Sequence, residues 1–250
     1  MSTNGRFILR IDDTDTSRSN DVYTKNILDS LDWLGLNYDL MVSSSDRDDI
    51  YKDYFNKIDP KYLIKDDGCI RLNIPKDFIR DSWKDNLTRK PIKTHDFNRN
   101  DICNMVIIKS DGSPTYHFQS VVDDIDLDVN CIIRGTDHIG NTLKHITLYD
   151  LFDKDLPNFY HIGLIHNMNG KKFSKRDGAT SITDYKDMGY SRDALLNFML
   201  RIGWSPRDPN MNGLINVDDA LDLFWDSGKM SNSSAKMDLK KLDWYNNKYK

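Results

Sequence analysis

"NCIIRGTDHIGNTLKHITLYDLFDKDLPNFYHIGLI", residues 130–165, has a short β-branched apolar run at each end and a longer amphipathic stretch between them. The ends "NCIIR" (130–134) and "FYHIGLI" (159–165) predict strands, and Ile139, Leu143, Ile146 and Leu151 predict a helix from about Asp137 to Phe152. Strand, helix, strand in that order is the unit of a parallel sheet, because strands running the same way need a long crossover between them. The same alternation extends in both directions. "RFILRI" (6–11) predicts a strand that ends in the polar turn "DDTDTSRSN". Beyond it Val22, Ile27, Leu28, Leu31 and Leu34 recur at helical spacing from Asp21, and Gly35 stands where such a helix stops. A second helix over Ile50–Ile58 ends at Asp59-Pro60. "CIRLNI" (69–74) and "NMVIIK" (104–109) predict strands, the latter followed by the turn "SDGSP". A helix from Ser191 is expected to bury Ala194, Leu195, Phe198, Met199 and Ile202. The expected fold class is α/β, a mostly parallel sheet with helices on both faces.

Composition narrows the function classes. Of 250 residues 38% are hydrophobic and 11% aromatic, enough for a real core and against disorder. The apolar runs are too short to span a bilayer, and "MSTNGRF" lacks a signal peptide's apolar segment, so no membrane role and a cytoplasmic location are expected. Cys69, Cys103 and Cys131 are odd in number and widely spaced, and are read as reduced thiols with no zinc site. With a net charge of −4 the chain is not uniformly basic, so any grip on nucleic acid must come from local patches. Two exist, Lys84–Lys93 ("KDNLTRKPIK") and Lys171–Arg176 ("KKFSKR").

In parallel α/β sheets ligands sit beyond the carboxyl ends of the strands. Three charged clusters fall there: "IDDTD" after the first strand, "RGTDH" after "NCII", and "KKFSKR" after "FYHIGLI". Carboxylates, one arginine and a lysine-rich loop suit a zwitterionic substrate beside a polyphosphate.

Taken together, "FILRIDDTD", "VIIKSDGSPTYHFQSVVDD", "IIRGTDHIGNTLKHITLYD", "GKKFSKRDGATS", "DYKDMGYSRDALLNFMLRIGWSP" and "DLKKLDWYNNKY" resemble, in order, the catalytic domain of bacterial-type glutamyl-tRNA synthetases of class I. The resemblance implies a Rossmann-like class I catalytic core that activates L-glutamate with ATP and Mg2+ and transfers it to tRNA(Glu). It implies four segments: residues 1–58 and 105–190 as the two parts of the core, 59–104 as a shortened connective insertion that meets the acceptor stem, and 191–250 as a helical stem-contact region. "KFSKR" looks like the family's KMSKS loop. Its ammonium groups would close over the departing pyrophosphate, with Lys175 as principal lysine and Lys172 as helper. Asp12 would accept the substrate's α-ammonium, one methylene shorter than the Glu more usual in the family. Tyr116 and Ser120 would line the amino-acid pocket, Ser120 standing where Asn is common. Arg134 would pair with the substrate's side-chain carboxylate, a task suited to a planar bidentate donor. Asp137, His138 and backbone groups near Ile165 would face the ATP ribose and adenine.

The family's pattern also carries, upstream of the strand matching "RFILRI", a first strand, a "PSPTG"-like turn and a HIGH motif; here only "MSTNG" stands there. "HIGN" (138–141) and "HIGL" (161–164) are not substitutes, since neither follows such a turn and each matches another family segment. The missing segment is therefore expected from elsewhere, as a separate polypeptide or a longer start. Two alternative functions stand beside tRNA charging: glutamyl transfer to a modified tRNA base, and a non-catalytic RNA- or protein-binding role.

Overall fold

The computed structural model describes residues 5–13, 21–88, 90–173, 181–206, 213–225 and 228–250. In chain order the elements are β1 (Ile8–Ile11), α1 (Asp21–Leu34), β2 (Leu40–Ser43), α2 (Asp48–Asn56), β3 (Leu63–Asp66), β4 (Cys69–Leu72), β5 (Ser82–Trp83) and β6 (Ile92–Lys93). Then come α3 (Arg99–Cys103), β7 (Val106–Ile108), α4 (Tyr116–Asp126), β8 (Cys131–Gly135), α5 (Ile139–Leu151), β9 (Asn158–Ile162) and β10 (Ile165–His166). The chain continues with α6 (Ile182–Asp187), α7 (Arg192–Gly203), β11 (Trp204–Pro206), α8 (Val217–Leu223), β12 (Gly228–Met230), β13 (Ala235–Lys236) and α9 (Leu239–Lys248). They divide into two compact units, residues 1–46 with 162–250, and residues 47–161.

In the first unit β1 and β2 pair in parallel, Ile8 opposite Leu40 through Ile11 opposite Ser43, joined by α1. Gly35, at φ +64°, ends α1: its N–H donates to Asp32 O, and the Leu36 N–H donates to Leu31 O. This is a Schellman closure, which needs a left-handed residue at that point. Asp13 accepts from both the N–H and the hydroxyl of Ser45, tying the end of β1 to the end of β2. Helices α7 and α9 pack with α1 around Leu34, Ala194, Leu195, Phe198, Leu242 and Tyr245. Ser191 caps α7 as its sequence suggests. Met199, expected in the core, is 43% exposed instead; its helical phase lies at the edge of the apolar stripe.

The second unit carries the larger core. Phe118, Val121 and Val122 of α4, spaced i, i+3, i+4, meet Leu72 of β4, Ile107 of β7 and Leu148 of α5. "TYHFQSVVDD" is thus helical for most of its length. β3, β4 and β7 form an antiparallel sheet and β5 pairs antiparallel with β6. β8 and β9 form a two-stranded sheet joined through α5, with the Asn158 N–H donating to Asn130 O at the two strand starts.

The strand predicted to run unbroken from Phe159 to Ile165 stops at Ile162 and resumes as β10, which pairs in parallel with β13. At the break the Gly163 N–H donates to Ser231 O, and a Cβ at 163 would collide with the backbone of Ser233 and Ser234. Only glycine fits so close a backbone approach.

Candidate active site

Helix α5 is buried along most of its length and carries Thr142 and His145 inward, both fully buried. Buried polar groups must find partners, and these two find Arg134. From β8 its Nε–H donates to His161 Nε2 (3.2 Å), its Nη2–H to Thr142 Oγ1 (2.7 Å), and its Nη1 lies 3.3 Å from His145 Nδ1. Every acceptor is neutral, and among the described residues no carboxylate pairs with Arg134. Burial accordingly pulls its pKa down from the usual arginine value, against the raising influence of Tyr116, Asp124 and Tyr149. A guanidinium has five N–H donors. Three are used here, leaving one on each terminal nitrogen, the pair that a carboxylate takes in bidentate fashion.

The arginine dictates the histidine tautomers. His161 accepts at Nε2, so its proton is on Nδ1, which lies 2.6 Å from Asp85 Oδ2. That carboxylate, fully buried, also accepts from the His161 and Leu87 backbone N–H groups. Desolvation, aided by Arg134 and His138, outweighs the pull of Asp85 and lowers the His161 pKa, so the contact is a hydrogen bond from a neutral imidazole. His145 accepts at Nδ1 and so donates from Nε2 to His117 Nδ1, 3.2 Å away. The Tyr116 ring lies beside both imidazoles, with centroids 5.4 Å from His117 and 6.1 Å from His145.

Burial, reinforced by Lys144, Arg134 and His138, pushes the His117 pKa down to about 4 from 6.5. Between those values the unfolded chain binds a proton that the folded chain refuses. The stability from a neutral His117 is therefore complete above pH 6.5 and lost as pH falls toward 4, by about 2 kcal/mol once partial exposure is allowed for. Urea unfolding of wild type and His117→Asn across pH 7 to 4.5 should show the gap between them shrinking with acid. A gap independent of pH would contradict this.

The other predicted residues divide between the units. In the second, Tyr116 opens α4 and is 42% exposed, while Ser120, one turn on, is buried with no side-chain hydrogen bond among the described residues. Asp137 and His138 lie in a 3-10 turn directly after β8, both part-exposed, with His138 Nδ1 3.4 Å from Asn141 Nδ2. In the first unit, Asp12 is exposed just past the end of β1. Ile165 is 38% exposed in β10, and its carbonyl accepts from the Phe173 N–H. Lys172 is exposed on the returning arm of a hairpin whose turn holds Gly170 at φ +81° and Asn167, the side chain of which accepts from the Asn169 and Lys171 N–H groups. Lys175 lies outside the described residues. The described chain resumes at a Ser181–Asp184 capping box that starts α6.

Sequence reasoning missed Asp85, Thr142, His145, His117 and the part His161 plays. Asp85 is embedded in an otherwise basic run, and the helix expected from about Asp137 to Phe152 shows in sequence only its apolar spacing. Among the described residues no cluster of three His, Cys, Asp or Glu side chains could hold a metal ion, and no helix is long and apolar enough to cross a membrane.

Residues 1–61 and 64–244 match the family described as tRNA synthetases class I (E and Q), catalytic domain. Glutamate–tRNA ligase 1 of Sulfurimonas denitrificans is 36% identical over 289 aligned residues, covering 98% of this chain and 60% of the relative. Glutamate–tRNA ligase 2 of Neorickettsia sennetsu is 39% identical over 247 residues, covering 98% and 58%. The chain therefore spans about 60% of the length of these curated relatives. The crystal structure of the glutamate–tRNA synthetase from Elizabethkingia anophelis superposes with a TM-score of 0.85 at 25% identity, over 99% of this chain and 64% of that one. A glutamate tRNA ligase from Elizabethkingia meningosepticum, solved in complex with its amino acid, matches equally well, over 99% and 63%. With nearly its whole length matched in sequence and in fold, the chain belongs to the class I tRNA synthetases for glutamate and glutamine, as a catalytic-domain member of the family.

Proposed function

We propose that this chain is a glutamate–tRNA ligase catalytic core, which activates L-glutamate with ATP for transfer to tRNA(Glu). The observation that carries the reading is Arg134, a half-buried cation held by three neutral acceptors and without a carboxylate partner among the described residues. An arginine so placed favours an anionic substrate side chain over a neutral amide, and so glutamate over glutamine.

Residue by residue, Arg134 receives the side-chain carboxylate, Tyr116 and Ser120 line its surroundings, and Asp12 accepts the α-ammonium. Asp137, His138 and the backbone near Ile165 serve ATP. Lys172 and Lys175 neutralise the charge that builds on the departing pyrophosphate. Magnesium arrives with the nucleotide's phosphates, and no protein ligand is assigned to it. Residues 1–58 and 105–190 act as the core, 59–104 as the connective insertion and 191–250 as the stem-contact region. Exposed Lys84, Lys90 and Lys93 support phosphate contact by the insertion. Cytoplasmic location follows from the reaction. The HIGH-bearing segment acts together with this core, as a separate polypeptide or as further chain; β1 pairs with β2 alone among the described residues, which leaves its other edge open to a strand.

Glutamate-dependent exchange of pyrophosphate into ATP, measured with total tRNA, tests the proposal. Exchange is expected from the chain alone or after addition of a polypeptide carrying the HIGH segment, and it should fall about 100-fold or more in Lys175→Ala. Exchange indifferent to Lys175→Ala, or absent under both conditions, would contradict it.

A further inference from the structure

Asp85 and His161 lie behind Arg134, both fully buried and joined to each other by two hydrogen bonds, with a third, from the Leu87 N–H, converging on the same carboxyl group. A buried carboxylate is costly unless each oxygen is used, and here both are. Oδ1 accepts from the Leu87 N–H, and Oδ2 accepts from the His161 N–H and from Nδ1–H. This leaves the Nε2 lone pair of His161 facing Arg134 Nε–H at 3.2 Å and the Thr142 hydroxyl at 2.9 Å, the same Oγ1 lying 2.7 Å from Arg134 Nη2 and 3.0 Å from the His138 carbonyl oxygen. Nε and Nη2 form one edge of the guanidinium plane. With that edge occupied, rotation about the last side-chain bond is blocked. The Phe159 ring, 5.8 Å from the guanidinium carbon, limits movement out of the plane.

We propose that Asp85 and His161 are positioning residues for Arg134: Asp85 fixes His161 as the Nδ1–H tautomer, and the Nε2 lone pair with Thr142 Oγ1 locks the guanidinium so that its terminal N–H groups are presented to a ligand carboxylate. The consequence for glutamate rests on the function proposed above; the tautomer and the locking do not. A pair serving only as a core staple would leave the tautomer of His161 and the freedom of Arg134 unlinked.

The test uses the whole chain labelled with 15N. Long-range 1H–15N spectra are expected to show His161 as the Nδ1–H tautomer, and Arg134 Nε–H should exchange slowly with solvent. Asp85→Asn keeps the shape but can turn an NH2 toward Nδ1. That moves the His161 proton to Nε2, where it opposes the Nε–H of Arg134. Exchange of Arg134 Nε–H should then quicken at least about ten-fold, and L-glutamate should bind about 10- to 100-fold more weakly, the scale on which outer-shell partners act. Thr142→Val, which removes one acceptor and little volume, should also quicken that exchange. A wild-type His161 protonated at Nε2, or an Arg134 N–H whose exchange neither variant alters, would overturn the proposal. If Asp85→Asn does not fold, the wild-type tautomer and Thr142→Val still decide. If wild type binds no glutamate the proposed function fails, while tautomer and exchange still decide the positioning.

Discussion

Replacing Asp123 by Ala is expected to destabilise the protein by about 3 to 5 kcal/mol, a large share of the roughly 5 to 15 kcal/mol that holds a typical domain folded. Asp123 is fully buried on α4 and accepts from Arg47 Nε at 2.7 Å and from the Tyr51 hydroxyl at 3.1 Å. Arg47, itself buried just before α2, reaches Asp126 with Nη2 at 2.6 Å. One guanidinium thus binds two carboxylates one helical turn apart on α4, Asp123 buried and Asp126 part-exposed. Burial opposes the charge on Arg47, and its bonds to Asp123 and Asp126 overcome this, so its pKa rises. Removing Asp123 strands Arg47 with one part-exposed partner and leaves the Tyr51 hydroxyl without this acceptor. Asp123→Asn keeps acceptor geometry and should cost less. A double replacement, Arg47→Met with Asp123→Leu, should recover much of the loss, because an apolar pair needs no desolvated charge. Urea unfolding of the three variants measures all of this, and a loss below about 1 kcal/mol for Asp123→Ala would contradict it. The consequence reaches the site, since α4 begins with Tyr116 and His117.

Arg134→Ala should weaken L-glutamate binding by about 100-fold or more, equivalent to roughly 3 kcal/mol, the scale of a charge-assisted bidentate pair in a partly desolvated place. Arg134→Lys should recover little. A lysine ammonium is a point donor and cannot meet His161, Thr142, His145 and a carboxylate in one plane. Binding of L-glutamine, which has no charge for the guanidinium to meet, should change far less. Equilibrium dialysis with labelled amino acids compares the variants. Equal losses for glutamate and glutamine would point to general collapse of the pocket.

Much of the fold was legible because its signals are local. The helices over 21–34 and 139–151 are written in apolar spacing, and Gly35 announces the first one's end through a conformation other residues avoid. The break after Ile162 was not legible: what stops the strand at Gly163 is the backbone of Ser231–Ser234, some seventy residues away in the chain. Met199 shows the same limit, since periodicity gives a helix its apolar face but not how far the neighbouring elements cover it. Arg134 could be found from the sequence because it ends a strand inside a dense motif. Its supports could not. Asp85 looks like one acid among lysines, and His145 and Thr142 look like polar interruptions of a helix, until the fold brings them to one guanidinium.

The central claim is that this guanidinium receives the substrate's side-chain carboxylate, and the most direct measurement is the 15N-edited signal of Arg134 Nε–H in the whole chain titrated with L-glutamate. A shift that saturates with glutamate and is much weaker with L-glutamine is the predicted result. Glutamate binding that leaves the Arg134 resonance where it was would contradict it.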